Sequence, residues 1–375
     1  TTLGADDGIG DAIELAILDS DDIEHGPIEC VFTRDEETQL TGAFGMKPGF
    51  MTGKYLINLD SEEEGQIFVS CAGGKSTIAE FDFTREEAPK DYFFLEGSIK
   101  GLNGGHSGDD IEKKRANAIK LLARFLYNEQ EKMDLRLAQF NSGKMHNAIP
   151  RDGKIVFAVP ADKKEEVKAD WNIYTAGVED EFHVTDTTMV WNLSSTEQQK
   201  VLPKNVSENM IRALQAVDNG VFAMCQDKAL EWMVETSSNI ASVQSSEDKV
   251  EIVSSQRSNV MSNLRNMSNT VKAAFQLAGA KVEQTDGYPA WKMNPNSELV
   301  KIAVEQYKKL FGKAPVVKGI HAGLECGLFS EKYPDIDMIS FGPTLRNVHT
   351  PDECLHIPTV QMVWDHLLAI LKNID

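Results

Sequence analysis

Helical and strand-like segments alternate at both ends of this chain but not in its middle. After a polar, glycine-rich opening, residues 12–18 carry Ile13, Ala16 and Ile17 at helical spacing, with Asp7 or Gly8 placed to cap the helix start. Pro27 to Phe32 and Tyr55 to Leu59 then read as strands. The alternation returns late: an amphipathic helix from Asn296 carries Leu299, Ile302, Ala303, Tyr307 and Leu310, and strand-like runs follow at 316–320 and 336–341. A last helix, near 360–371, sets Val363, Trp364, Leu367 and Leu371 on one face. Alternation of this kind favours an α/β layer. In between lie strands at 79–83 and 155–159, a long amphipathic helix near 111–126, a polar stretch at 165–208 and a serine- and asparagine-rich stretch at 237–262. The expectation is an α/β domain with a mixed sheet, built from residues 1–75 and 285–375 and interrupted by an inserted α+β domain at 76–284.

The 375 residues include 38 Lys and Arg against 58 Asp and Glu, a formal net charge of −20. A surface that acidic repels phosphate backbones and anionic lipid, so neither nucleic acid nor a membrane is expected as a partner. No apolar run reaches the roughly 18 to 20 residues of a spanning helix, and no signal-peptide pattern opens the chain. The five cysteines are scattered, without CxxC spacing, which fits reduced thiols in a cytoplasmic protein. The opening Thr-Thr-Leu-Gly-Ala-Asp-Asp-Gly-Ile-Gly reads as a working turn rather than a frayed terminus, so a segment preceding Thr1 is expected.

Four segments place acids or a histidine at strand ends or turns: Asp6 with Asp7, then Asp35-Glu36-Glu37, then Asp60 after Leu56-Ile57-Asn58-Leu59, and His349. In an open α/β sheet, groups just past the carboxyl ends of strands converge on one crevice. Crowded carboxylates repel unless a cation neutralises them, and mixed oxygen and imidazole ligation suits zinc, manganese or cobalt better than calcium. A two-metal site, its ions about 3.5 to 4 Å apart, needs one carboxylate to bridge and others to cap. Asp6, Glu37, Asp60 and His349 supply such a set; Glu62, Glu63 and Glu64 read as solvated charge. His106 stands inside Gly101-Leu-Asn-Gly-Gly-His-Ser-Gly108, where glycines leave an open approach for a ligand. A phosphate loop fits poorly, because Gly74-Lys75-Ser76 has Val69 where its first glycine belongs.

These segments occur together with Asn58-Leu-Asp-Ser-Glu-Glu-Glu-Gly65, Cys71-Ala-Gly-Gly74, Asn147-Ala-Ile-Pro-Arg151, His321-Ala-Gly-Leu-Glu-Cys-Gly327 and His349-Thr-Pro-Asp-Glu353. In that order they resemble the dipeptidases of the M20 metallopeptidase family, over essentially the whole chain and weakest between about 160 and 230. The resemblance implies a zinc-exopeptidase-like catalytic domain with an inserted lid, and two Zn2+ ions per site, Co2+ or Mn2+ also suiting it. It implies that Asp6 bridges the ions, that Glu37 and Asp60 are terminal ligands, that His349 is a ligand of one ion and that Glu36 is the general base. His106 then polarises the scissile carbonyl and Arg257 holds the substrate's terminal carboxylate, while Asn147, Arg151, Asn239 and Glu325 fall in substrate-binding motifs. His25, His183, His356 and His366 have no motif context and read as structural.

The implied activity is hydrolysis of dipeptides, Xaa-His and broader, and a homodimer stays open as the assembly. Two departures stand out. Thr38-Gln39 replaces the family's Ala-Gly after the paired glutamates, and His-x-Asp, the family's first metal motif, occurs nowhere in the chain. By this reading the chain alone does not complete the metal site. The alternatives are another M20 hydrolase acting on tripeptides or N-acyl amino acids, and a truncated, non-catalytic homologue serving as a binding or oligomerisation module.

Overall fold

The computed structural model describes residues 3–36, 40–226, 228 and 230–374. Its contacts divide the chain into two compact units: residues 1–73, 226–233 and 288–375 form the first, and residues 74–225 and 234–287 the second.

In the first unit a four-stranded sheet runs in the order Tyr55–Asn58, Asp337–Ser340, Gln66–Cys71, Val316–Ile320. The sheet is mixed. Tyr55 pairs in parallel with Asp337 and Val316 with Gln66, whereas Ser340 meets Phe68 antiparallel. Its strands read as short apolar runs because both faces are covered, and the neighbours Met338 and Ile339 accordingly enter different core clusters. On one side Ile13 and Ile17 of helix Ala5–Leu18, Leu299 and Ala303 of helix Glu298–Phe311, and Val363, Leu367 and Ile370 of helix Ile357–Leu371 pack together. On the other side lie Ala43, Cys326 and Phe329. His366 is buried in the last helix and its Nε2 lies 2.8 Å from Ala303 O, a structural role.

Pro27 to Phe32 forms no strand. The Glu29 carboxylate instead accepts hydrogen bonds from the amides of Thr52 and Gly53 at 2.8 and 3.0 Å, so a side chain does there what a ladder would otherwise do.

The second unit is a nine-stranded sheet in the order Lys281–Gln284, Gly73–Asp82, Lys249–Ser258, Val234–Ser245, Arg136–Ser142, Gly153–Pro160, Tyr92–Lys100, Val190–Ser195, with Gly220–Met224 paired beside Val234–Ser245. Helices Ala118–Gln130, Lys164–Glu181, Lys204–Ala216 and Met261–Leu277 contribute Leu122, Phe125, Trp171, Ile211, Leu214, Val271 and Phe275 to one large core, the α+β arrangement expected.

The single helix expected near 111–126 is two elements. A 3-10 turn at Ile111–Lys113 ends where Lys114 takes φ 52°, and the α-helix starts at Ala118, with Asn117 Oδ1 accepting from the amides of Ile119 and Lys120 at 2.9 and 3.3 Å. The polar stretch at 165–208 folds into two helices and an intervening strand. The serine-rich stretch becomes the hairpin Val234–Ser245 and Lys249–Ser258, whose buried polar side chains bond one another, as Thr236 Oγ1 and Ser258 Oγ do at 2.9 Å. Among the described residues no helix is long and apolar enough to cross a membrane.

Candidate active site

Two constellations carry the sequence-predicted residues, one in each unit. The first begins at the turn before helix Ala5–Leu18, where Gly4 takes the left-handed φ of 73° that glycine adopts without strain. The amides of Gly4, Ala5 and Asp6 all donate to the carboxylate of Glu353, at 2.9, 2.8 and 3.2 Å. These amides, Gly4 foremost, hold the Glu353 carboxyl below its ordinary range. The clasp ties the turn carrying Asp6 to the loop carrying His349, and His349 Nε2 lies 3.1 Å from Asp6 Oδ2.

Asp60 sits just past strand Tyr55–Asn58. Asn58 Oδ1 fixes that turn by accepting from the Asp60 amide at 3.3 Å and from Ser340 Oγ at 2.6 Å. Burial pushes the Asp60 carboxyl well above the usual carboxylate range, and the charges of Asp7, Glu36 and Asp6 push it further. Asp7 is raised to about 8, mainly by burial. Its Oδ1 accepts the Gly10 amide at 3.1 Å.

Glu36 is half-buried at the end of a loop whose flank closes tightly: Gly42 N donates to Arg34 O at 3.0 Å, and a Cβ on Gly42 would come within 2.6 Å of Arg34 N. Glu37, Thr38 and Gln39 lie outside the described residues. Glu325 is buried at the first position of helix Glu325–Lys332, where it accepts a hydrogen bond from Thr33 Oγ1 at 3.0 Å. Within this unit the structure therefore brings together Asp6, Asp60, Glu36 and His349. Glu353, Asp7 and Asn58 complete the arrangement; the sequence offers Asp7 only as a helix cap beside Asp6 and assigns no role to the other two. For Glu353 the signal was its place at the end of the His-Thr-Pro-Asp-Glu motif.

The second constellation centres on His106, in a two-residue strand paired with Ala148–Ile149. Its amide donates to Asp110 Oδ2 at 2.8 Å, and Asp109 Oδ2 lies 3.3 Å from Nδ1. Burial alone would raise Asp109, but the His106 hydrogen bond and the Arg257 charge outweigh it and hold the carboxyl low. Arg257, buried on strand Lys249–Ser258, has Nη2 3.4 Å from His106 Nε2 and Nε 3.4 Å from Ser107 Oγ. Three further predicted residues bond the main chain around this loop. Asn147 accepts the Ser107 amide through its main-chain carbonyl at 2.8 Å, Asn239 Nδ2 donates to Ala148 O at 2.9 Å, and Arg151 Nε donates to Leu102 O at 3.1 Å.

Among the described residues no three His, Cys, Asp or Glu side chains stand at ligating geometry around one point. The donor chemistry nevertheless fits a divalent cation: carboxylates that repel one another, Asp60 with its carboxyl pushed far up, lie beside an imidazole nitrogen at the end of a strand. A mixed α/β sheet with that donor set is the framework of a metal-dependent hydrolase. The chain belongs to peptidase family M20/M25/M40, whose model matches residues 6–373. Over 375 residues it is 40% identical to the cytosol non-specific dipeptidase of Escherichia coli K12, covering 100% of this chain and 77% of that protein.

Among solved structures, aminoacylhistidine dipeptidase from Vibrio alginolyticus matches at 41% identity and a TM-score of 0.92, covering 100% of this chain and 76% of that one. Aminopeptidase PepT from Bacillus cereus shares the fold at 18% identity and a TM-score of 0.51, over 99% of this chain and 72% of its own. The chain is therefore a peptide hydrolase of a metallopeptidase family, which implies a divalent metal.

Proposed function

We propose that the protein hydrolyses dipeptides, Xaa-His among them, in the cytoplasm, with two zinc ions held by Asp6, Glu37, Asp60 and His349. The observation that carries this reading is the grouping of Glu36 and Asp6 about Asp60, with His349 against Asp6, in a chain 40% identical to a dipeptidase. The zinc ions would supply Lewis acidity to the scissile carbonyl and to the attacking water.

The chain's own residues do the rest. Glu36 takes the proton from the attacking water and passes it to the leaving amine, a general acid–base role worth roughly 10²- to 10⁴-fold in rate. His106 donates to the developing oxyanion, a contribution of about 10²- to 10³-fold for one such donor. Arg257 binds the substrate's terminal carboxylate through its planar fork. Asn147, Arg151 and Asn239 hold the main chain around His106, which keeps the imidazole in place.

The test is hydrolysis by protein expressed from its complete coding sequence and loaded with zinc. β-Alanyl-histidine and other Xaa-His dipeptides should be cleaved faster than tripeptides or N-acyl amino acids. Cleavage of only the latter two classes overturns the dipeptidase reading. Elemental analysis finding no bound metal favours a non-catalytic module.

A further inference from the structure

Glu325 is 6% exposed and divides its carboxylate unequally. One oxygen accepts from Thr33 Oγ1, while Oε1 is shut off from solvent and has no hydrogen-bond partner among the described residues. A buried carboxylate oxygen without a donor carries the full cost of desolvation, and where it borders a cavity a ligand can supply the missing donor.

Glu325 lines a cavity of about 580 Å³ in the first unit, shared with Thr33, Glu36, Asp7 and Asp60. A volume of this order suits a small organic ligand. Among the described residues, Lys54 is the single lysine or arginine on the cavity wall, and its ammonium is paired with Glu298 at 3.3 Å. The space is therefore strongly attractive to a cation. Among the described residues Glu325 belongs to no group of three ligating side chains, and metal ions take several ligands. It matches an ammonium, a compact point charge with rotatable donors. The Thr33 bond also ties Glu325 to the loop that carries Glu36 three residues later.

We infer that Glu325 receives the α-ammonium group of the dipeptide, so that the enzyme reads the free N-terminus through this side chain. The inference rests on the dipeptidase reading and names its specificity determinant. An N-acylated substrate lacks both the charge and the donors this oxygen requires, and is discriminated against for that reason.

The experiment uses the zinc-loaded protein from its complete coding sequence and a non-hydrolysable phosphinic dipeptide analogue, prepared with and without its amino group. Calorimetric Kd values are measured for wild type, Glu325→Gln and Thr33→Val, alongside kcat and KM for the parent dipeptide. Wild type should prefer the amino-bearing analogue by roughly 10- to 100-fold, the range of a buried charge-assisted hydrogen bond. Glu325→Gln, which keeps the size of the side chain and an acceptor for Thr33, should shrink that preference to within about threefold and raise KM, leaving the desamino analogue unchanged.

Thr33→Val should keep the preference even where it lowers kcat or the melting temperature. An undiminished preference in Glu325→Gln overturns the inference. So does equal weakening of both analogues, or loss of the preference in Thr33→Val. Failure of wild type to cleave dipeptides while it cleaves N-acyl amino acids instead overturns the functional reading beneath it.

Discussion

A single carboxylate, Glu353, organises the first constellation by accepting three consecutive amides from the turn that carries Asp6. Replacing it with alanine leaves those donors without their acceptor and frees the His349 loop. Glu353→Ala should weaken metal affinity roughly 10- to 100-fold, the usual cost of losing a group that orients a ligand, as read by competition against a chelator of known affinity. Glu36→Gln changes no bulk and should leave metal content intact while lowering kcat by about 10² to 10⁴ with KM nearly unchanged, measurable by steady-state kinetics. The place of Asp60 just past a strand was legible in the sequence, because an acid after a short apolar run marks the carboxyl end of a strand. The motif ending at Glu353 marks that residue but not its clasp, which depends on amides 347 to 349 positions away, a separation that leaves no local pattern.

At the scale of the element, the sequence served well where periodicity and burial coincide, as in helix Ile357–Leu371 with Val363 and Leu367 inward. It served poorly where polar groups are buried. The hairpin Val234–Ser245 and Lys249–Ser258 lacks a clean alternation of apolar residues because Ser237, Ser238, Asn239, Ser254 and Gln256 are buried and satisfied by hydrogen bonds or ladder partners, so a serine-rich stretch that looks irregular folds into long strands. The helix near 111–126 was misjudged in extent because its break rests on the Lys114 backbone and the Asn117 cap, neither of which disturbs the apolar spacing.

One ion network yields a prediction at this scale. Burial alone would raise Asp134, but Lys204 at 2.7 Å, Tyr92 at 2.6 Å and Arg136 at 3.1 Å outweigh it and bring the carboxyl down to about 2. A carboxyl depressed in the folded state adds stability above its unfolded pKa, and that stability is lost as the pH falls through the folded one. Asp134→Asn should therefore be less stable than wild type at pH 5, with the difference in urea midpoint closing as the pH falls from about 4 to 2.

At the scale of the whole molecule, the family implies a divalent metal, and a metal held by the folded chain alone would add to its stability. Binding to the native state alone stabilises it by mass action, by about 2.7 kcal/mol when the free ion stands at 100 times its Kd. Stripping the ions with a chelator should abolish peptide hydrolysis and lower the melting temperature, and adding zinc back should restore both. An unchanged melting temperature on stripping would separate the acid cluster from the stability of the fold. The mixed α/β sheet and the α+β character of the second unit were legible from the contrast between the ends and the middle of the chain. The assignment of residues 226–233 to the first unit was not, since eight residues are too few to show a pattern of their own.

The Glu353 clasp also sets a schedule for biosynthesis. Asp6 leaves the ribosome 347 residues before the side chain that fixes its turn. At about 5 to 20 residues per second that interval is on the order of 20 to 70 s. Through nearly all of it the nascent polypeptide carries the Asp6 turn without its anchor and without His349, so the acid cluster stays incomplete until both have been made.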